Sequence, residues 1–337
     1  MDVNYFYGNI LEHSPDIAHL ITEHPHGILL SYNRKTFGEK IWERYYNYPD
    51  VGVSLLYQDM KNPHLGESYG LFAHLGFYFL QRKLLLRIGT GISYNTNPYD
   101  RDKNFRNNAY GTHLMNNTFL MVNYKQKLFD NLALQAGIIL IHYSNGNFKA
   151  PNTSTNSFAL NLGVDYSFRS ENQSNYIPLG EKKPYSETFH YNFVFRSGFH
   201  SSDVIGSGEY PFYIFSVYAD KRISHKSTLQ AGAELFLSEM LKEYIYYRSV
   251  AYPEEPVSGD EDSKRVGVFG GYQLNVGKIK AYVNLGYYIY YPYDFEGRVY
   301  NRLGLNYSIN KDWFVGASVK SHAAKAEAAE FSVGYRL

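Results

Sequence analysis

The sequence predicts an all-β fold, an antiparallel transmembrane β-barrel of the outer-membrane type with about 16 strands. Three observations favour this fold. Apolar and polar residues alternate with a period of two over most of the chain, short and long connections alternate, and tyrosine is unusually frequent. The chain has 35 Tyr among 337 residues. Tyrosine suits a membrane–water interface because its ring is apolar and its hydroxyl is polar.

The period-two pattern assigns each strand an apolar face toward lipid and a polar face toward the barrel interior. In 297–309, for example, Leu303 and Leu305 share one face, whereas Arg302 and Asn306 share the other. A different placement of strand boundaries gives about 14 strands. The predicted strands are 3–11, 26–35, 50–60, 68–80, 84–95, 115–127, 131–144, 156–169, 188–200, 210–223, 227–238, 264–276, 278–291, 297–309, 312–321 and 328–337.

The connections orient the barrel and divide the chain. Tight turns such as 81–83 and 129–130 belong on the periplasmic side, and long loops such as 96–114, 145–155 and 239–263 on the cell surface. The polar segment 170–187 is predicted as a periplasmic connection between two halves of one barrel, 1–169 and 188–337. Two separate eight-stranded barrels are the alternative. A soluble β-sandwich also alternates, but it would bury its apolar face.

Composition excludes several other classes of protein. The mean hydropathy is −0.40, and no run approaches the roughly 20 apolar residues of a transmembrane helix. The formal net charge of +1 gives no support for a nucleic-acid partner, and the absence of cysteine excludes disulfides and thiol chemistry. We expect a location in the outer membrane of a Gram-negative cell, with the export signal already removed from this chain.

The strand 131–144 ends in two residues that suggest chemistry. His142 and Ser144 lie on the same predicted face as Leu134, Ile138 and Leu140, at the cell-surface end. A serine hydroxyl attacks an ester when a base removes its proton, and histidine accepts that proton near neutral pH. The pattern indicates a nucleophile and base directed toward lipid. Ordinary polar residues at the membrane rim are the alternative interpretation.

The residues that follow extend this pattern into a recognisable motif. Asn145, Gly146 and Asn147 come next, Pro151-Asn152 follows, and Asn156 begins the neighbouring strand. The pattern resembles the active-site signature of the lipid A 3-O-deacylase (PagL-type) family. The resemblance covers about residues 1–169 in strand order and is specific over 142–157. It implies an eight-stranded outer-membrane barrel that removes the ester-linked 3-acyl chain of lipid A.

The resemblance also implies a role for each matched residue. Ser144 matches the nucleophile, His142 the general base, and Asn156 the position of the third catalytic residue, which is glutamate in the family. An amide orients an imidazole but does not stabilise an imidazolium as a carboxylate does. The family glycine is also shifted, because Gly146 precedes Asn147 here. The residues assigned to oxyanion or substrate binding are Asn145, Gly146, Asn147 and Asn152.

The expected function is that of an outer-membrane serine esterase, a carboxylic ester hydrolase acting on the 3-acyl chain of lipid A. Its expected partner is the lipopolysaccharide of the outer leaflet, and it requires neither a cofactor nor a metal. The alternative is a catalytically inactive family member that acts as a channel or as a structural subunit with outer-membrane protein partners. Residue 156, an amide where the family has a carboxylate, keeps this alternative open.

Overall fold

The first eight strands close into a barrel of their own. A computed structural model describes residues 1–168, 176–180, 185 and 187–337. Consecutive strands pair antiparallel, and β1 closes the barrel by pairing with β8, from Asp2 opposite Asp165 to Ile10 opposite Ser157. The strands are β1 (Asp2–Ile10), β2 (His26–Arg34), β3 (Asp50–Asp59), β4 (Glu67–Phe79), β5 (Leu84–Asn95), β6 (Leu114–Lys127), β7 (Leu132–Ser144) and β8 (Thr155–Tyr166).

The second eight strands form another closed antiparallel barrel. Here β16 returns to pair with β9, from Phe331 opposite Ser197 to Arg336 opposite Asn192. The strands are β9 (Phe189–His200), β10 (Tyr210–Arg222), β11 (Ser227–Ser238), β12 (Arg265–Val276), β13 (Ile279–Tyr290), β14 (Val299–Ser308), β15 (Trp313–His322) and β16 (Lys325–Arg336).

The prediction of an outer-membrane-type β-barrel fold with 16 strands is confirmed, but the prediction of a single barrel is wrong. Each set of eight strands pairs its own first and last strand, so neither set has a free edge to join the other. The compact units are Met1–Asn145 with Pro151–Lys182, and Gly146–Ala150 with Lys183–Leu337. Most of the predicted periplasmic connection, 170–187, lies outside the described residues.

Apolar side chains point outward along the strands and polar or large side chains point inward. In β8, Phe158, Leu160 and Leu162 are exposed, whereas Ser157 and Asn161 are buried. The period-two pattern of the sequence corresponds to this alternation. The outward surface of each barrel is therefore an apolar band of the kind that faces lipid.

Side chains fill both barrel interiors. In the first barrel, Arg87 binds Asp2 at 2.6 Å, and Phe72 meets the edge of Phe119 with ring centroids 5.1 Å apart. In the second, Arg302 lies 2.7 Å from Glu234 and 2.7 Å from Glu330, and all three are fully buried. An eight-stranded barrel is just wide enough for such side chains. Neither barrel therefore has the wide lumen of a barrel of 16 strands.

Short helices occupy several connections. A 3-10 helix (Pro15–Leu20) follows β1, and α1 (Ile41–Tyr45) follows β2. The segment 239–263, expected as a loop, contains α2 (Glu239–Ala251), whose first turn is capped by Ser238 Oγ accepting the Leu241 N–H at 3.0 Å. None of the helices in the described part of the chain is long and apolar enough to cross a membrane.

Candidate active site

The candidate site lies where β7 ends and β8 begins. His142 and Asn156 are direct partners in the β7–β8 ladder, so their side chains emerge side by side on one face. Ser144 is two residues beyond His142 and shares that face. The same face carries the exposed Leu134 and Ile138 further along β7. His142 and Asn156 therefore contact each other on the outward side of the first barrel, and Ser144, which is only 7% exposed, follows two residues later on β7.

The contact between His142 and Asn156 places a hydrogen-bond acceptor beside one nitrogen of the imidazole. His142 Nδ1 lies 2.8 Å from Asn156 Oδ1. An amide oxygen only accepts hydrogen bonds, so in this arrangement Nδ1 carries the proton and donates it. The neutral ring then has its lone pair on Nε2, which is the state a general base requires. The side chain of Asn156 thus orients His142 as a third catalytic residue would.

Asn152 connects the following loop to the end of β7. Its amide contacts Ser144 Oγ through both terminal atoms, at 3.1 Å from Nδ2 and 3.2 Å from Oδ1. Asn152 Oδ1 also accepts the backbone N–H of Asn145 at 2.9 Å. Asn152 therefore contacts the serine itself and fixes the residue that follows it.

Gly146 and Asn147 form a turn and belong to the second compact unit. Both have left-handed backbones, with φ of +66° and +62°, and a Cβ on Gly146 would lie 2.7 Å from Ala329 Cβ. The Asn147 side chain donates to the carbonyls of Ser201 at 2.9 Å and Glu327 at 3.3 Å. The side-chain amide of Asn147 therefore binds backbone carbonyls of the second compact unit.

Two residues near the site have no signal in the sequence. Asn116 on β6 is the ladder partner of Ser144, and its exposed side chain shares the outward face. His13 comes from the β1–β2 connection, and its Nε2 lies 3.0 Å from the carbonyl of Thr153. Only strand pairing and loop packing bring them to the site. Within the described residues, no cluster of His, Cys, Asp or Glu side chains is arranged to hold a metal ion.

Two family models match the chain, one over each barrel. Residues 26–165 match the model described as lipid A 3-O-deacylase (PagL), and residues 189–337 match the model described as acyloxyacyl hydrolase, C-terminal domain.

Residues 26–165, most of the first barrel, belong to the lipid A 3-O-deacylase family.

The predicted family is thus confirmed, and the second barrel corresponds to a C-terminal domain with a family model of its own. This assignment and the barrel fold indicate an outer-membrane location.

Solved structures give weaker likenesses. The crystal structure of the outer membrane enzyme PagL is 18% identical, covering 48% of this chain and 98% of that chain with a TM-score of 0.36. KdgM porin is 8% identical over 100% of this chain and 98% of that chain, with a TM-score of 0.20. A Rhodopseudomonas blastica porin mutant is 10% identical at the same coverages, with a TM-score of 0.19. The search of curated protein sequences found no match.

Proposed function

We propose that this chain is an outer-membrane serine esterase that removes the ester-linked 3-acyl chain of lipid A. The observation that carries the proposal is the 2.8 Å contact between His142 Nδ1 and Asn156 Oδ1, with Ser144 two residues along the same outward face. A nucleophile, a base and an orienting group on a lipid-facing surface suit a substrate whose ester enters from the membrane.

The reaction proceeds in two acyl transfers. Ser144 Oγ attacks the ester carbonyl and gives its proton to His142 Nε2, and the tetrahedral intermediate collapses as His142 returns that proton to the departing sugar oxygen. Water then attacks the acyl-serine and gives a proton to His142, which passes it to Ser144 Oγ as the acyl–serine bond breaks. The products are a free fatty acid and a sugar hydroxyl.

Asn156 makes this version of the site slower than one with a carboxylate. Its amide holds the imidazole in the correct orientation and tautomer, as the asparagine of Cys-His-Asn proteases does. It carries no charge, however, and so does little to stabilise the imidazolium that forms in each transition state. We therefore assign Asn156 an orienting role and expect modest turnover.

The oxyanion is stabilised by donors that follow the serine. The donors we assign belong to the turn after the serine, Asn145, Gly146 and Asn147. The backbone N–H of Asn145 donates to Asn152 Oδ1 at 2.9 Å in this structure. Asn152 holds the serine in a fixed position relative to this turn through its contacts with Ser144 Oγ.

A second candidate function is that of a catalytically inactive structural subunit. The observation that favours it is the uncharged residue at position 156, since loss of the carboxylate is one route to loss of activity. The channel form of this alternative is less well supported, because the ion pairs of Arg87 and Arg302 occupy the two interiors.

Mass spectrometry of lipid A separates the two functions. Cells that make the wild-type chain should yield lipid A lacking one hydroxyacyl chain, and cells that make Ser144→Ala at equal outer-membrane abundance should yield intact lipid A. Asn116→Ala, a change on the same face and outside the proposed triad, is the matched control for surface disturbance. Intact lipid A from the wild type as well would reject the esterase and favour the structural subunit.

A further inference from the structure

The first barrel has an apolar groove on its outward surface. The groove has a volume of about 560 Å³ and is lined by residues of β2 to β6. Its floor is aliphatic, with Leu55, Leu71 and Ile92 at successive strands, each more than half exposed. A volume in this range is typical of a site for a small ligand rather than of ordinary surface roughness.

The surroundings of the groove indicate what fills it. Its floor residues are outward-facing residues of membrane-spanning strands, so the groove is continuous with the lipid-facing surface. The medium at that surface is hydrocarbon, and an unfilled apolar hollow there would lose dispersion contacts along its whole lining. A flexible hydrocarbon chain is the occupant that matches both the lining and the medium.

The groove has a polar rim at its outer end. Tyr57 and Tyr69 pack with ring centroids 5.3 Å apart, and both hydroxyls donate to Glu67, at 3.0 Å and 2.7 Å. Glu67 stands at the start of β4, the same end of the barrel as Ser144 at the end of β7. A carboxylate with two tyrosine hydroxyls disfavours a bare phosphate and suits sugar hydroxyls. The rim therefore favours a glycolipid of the outer leaflet.

The groove is separate from the hydrolytic site. All the described lining residues lie on β2–β6, whereas His142 and Ser144 lie on β7 and Asn156 on β8. The centre of the groove, on β4, is three strands from β7, which is about 15 Å around the barrel wall. A chain seated at the centre of the groove is therefore distant from Ser144, whereas Leu114 at the β6 edge lies two residues from Asn116, the ladder partner of Ser144.

We propose that the groove is a second lipid-binding site, which holds one acyl chain of an outer-leaflet glycolipid other than the molecule undergoing hydrolysis. The bound chain fills the hollow in the barrel wall, and its sugar end meets Tyr57, Tyr69 and Glu67. This site does not depend on the proposed esterase activity, because no residue of the triad contributes to it.

Native mass spectrometry of the full chain, purified from outer membranes in mild detergent, tests the proposal. Leu71→Trp and Ile92→Trp fill the centre of the groove from two different strands. Leu303→Trp is the matched control, because Leu303 is an outward residue of similar exposure on the second barrel, 66% against 52% for Leu71. Heat-modifiable mobility in gel electrophoresis verifies that each variant is folded, and lipid extraction identifies what is bound.

We expect one retained glycolipid per chain in the wild type, in Leu303→Trp and in Ser144→Ala, and at least about tenfold lower retention in the two groove variants. Equal retention in all folded variants would overturn the proposal, as would a phospholipid as the retained species. Retention in Ser144→Ala but not in the wild type would also overturn it, because the lipid would then be uncleaved substrate. Failure to deacylate lipid A, by contrast, counts only against the proposed esterase.

Discussion

Replacing Asn156 by aspartate tests the orienting role of this residue with the least structural change. The two side chains have the same length and shape, so a carboxylate oxygen takes the place of the amide oxygen, 2.8 Å from His142 Nδ1. The only addition is a negative charge beside a ring that becomes positive in the transition state. We expect Asn156→Asp to hydrolyse lipid A faster than the wild type.

The size of the effect follows from the contact. Two unit charges about 4 Å apart interact by about 4 kcal/mol at the effective dielectric of a protein surface. Desolvation of the new carboxylate offsets part of this attraction, because Asn156 is half-buried. A net gain of about 1–3 kcal/mol remains, which corresponds to a rate increase of about 5- to 150-fold.

The assay is release of hydroxy fatty acid from lipid A in detergent micelles, with kcat/KM compared among purified, folded variants. Asn156→Ala removes the orienting group without adding charge and should fall below the wild type. Asn156→Asp with Ser144→Ala should be inactive, which ties the gain to the serine. If Asn156→Asp is no faster than Asn156→Ala while both barrels are folded, Asn156 does not act through His142.

Three further variants probe the loop, the interior and the lipid face. Asn152→Ala removes the contacts with Ser144 and the Asn145 N–H, and should lower kcat by about 10-fold or more without changing the urea midpoint greatly. Arg302→Met removes the closest cation from two buried carboxylates, which keep only the longer contacts with Arg196 at 3.3 Å and 3.8 Å, and should lower the free energy of unfolding by about 3–5 kcal/mol, measured by urea titration in lipid vesicles. Leu162→Arg puts a charge on the outward face of β8 and should cost about 2–4 kcal/mol in the same titration, whereas an unchanged midpoint would show that this face is not in lipid.

The strands were predictable because each one has its own alternation of apolar and polar residues. The alternation of Leu160 and Leu162 with Asn161 is local, and it fixes which face of β8 meets lipid. The closure into two barrels is not local. It depends on β1 finding β8 and β9 finding β16, and the two halves alternate in the same way. Pattern alone therefore supports one barrel or two.

Helix α2 was not predicted because its sequence has no clear local pattern. It buries only Met240, Leu241 and Ile245, so its sequence has no sustained apolar stripe with helical spacing. Its clearest signal is the cap residue Ser238 at the end of a strand. A single cap signal in a long, charged connection does not distinguish a helix from a loop.

In the candidate site, the positions of the strand residues were predictable from the sequence, whereas the contacts of the loop residues were not. The shared face of His142 and Ser144 follows from period two, and its meeting with Asn156 follows from pairing of consecutive strands. The double contact of Asn152 with Ser144, and the use of the Asn147 amide by Ser201 and Glu327, depend on loop geometry. No periodic pattern predicts such geometry, so these loop residues acquire definite partners only in the folded chain.

The proposed catalytic residues lie on the outward face, so the residues that determine activity differ from the interior residues that determine stability. The buried ion pairs of Arg87 and Arg302 hold the strands together from inside, whereas Ser144 acts from outside. A change that weakens an interior ion pair without unfolding its barrel should therefore lower stability and leave kcat nearly unchanged, because no interior side chain touches the ester. A change at His142 or Ser144 should lower kcat and leave stability nearly unchanged, because these side chains contribute little to strand pairing. Measuring kcat and the free energy of unfolding for each variant distinguishes an active esterase from an inactive barrel whose polar rim only resembles an active site.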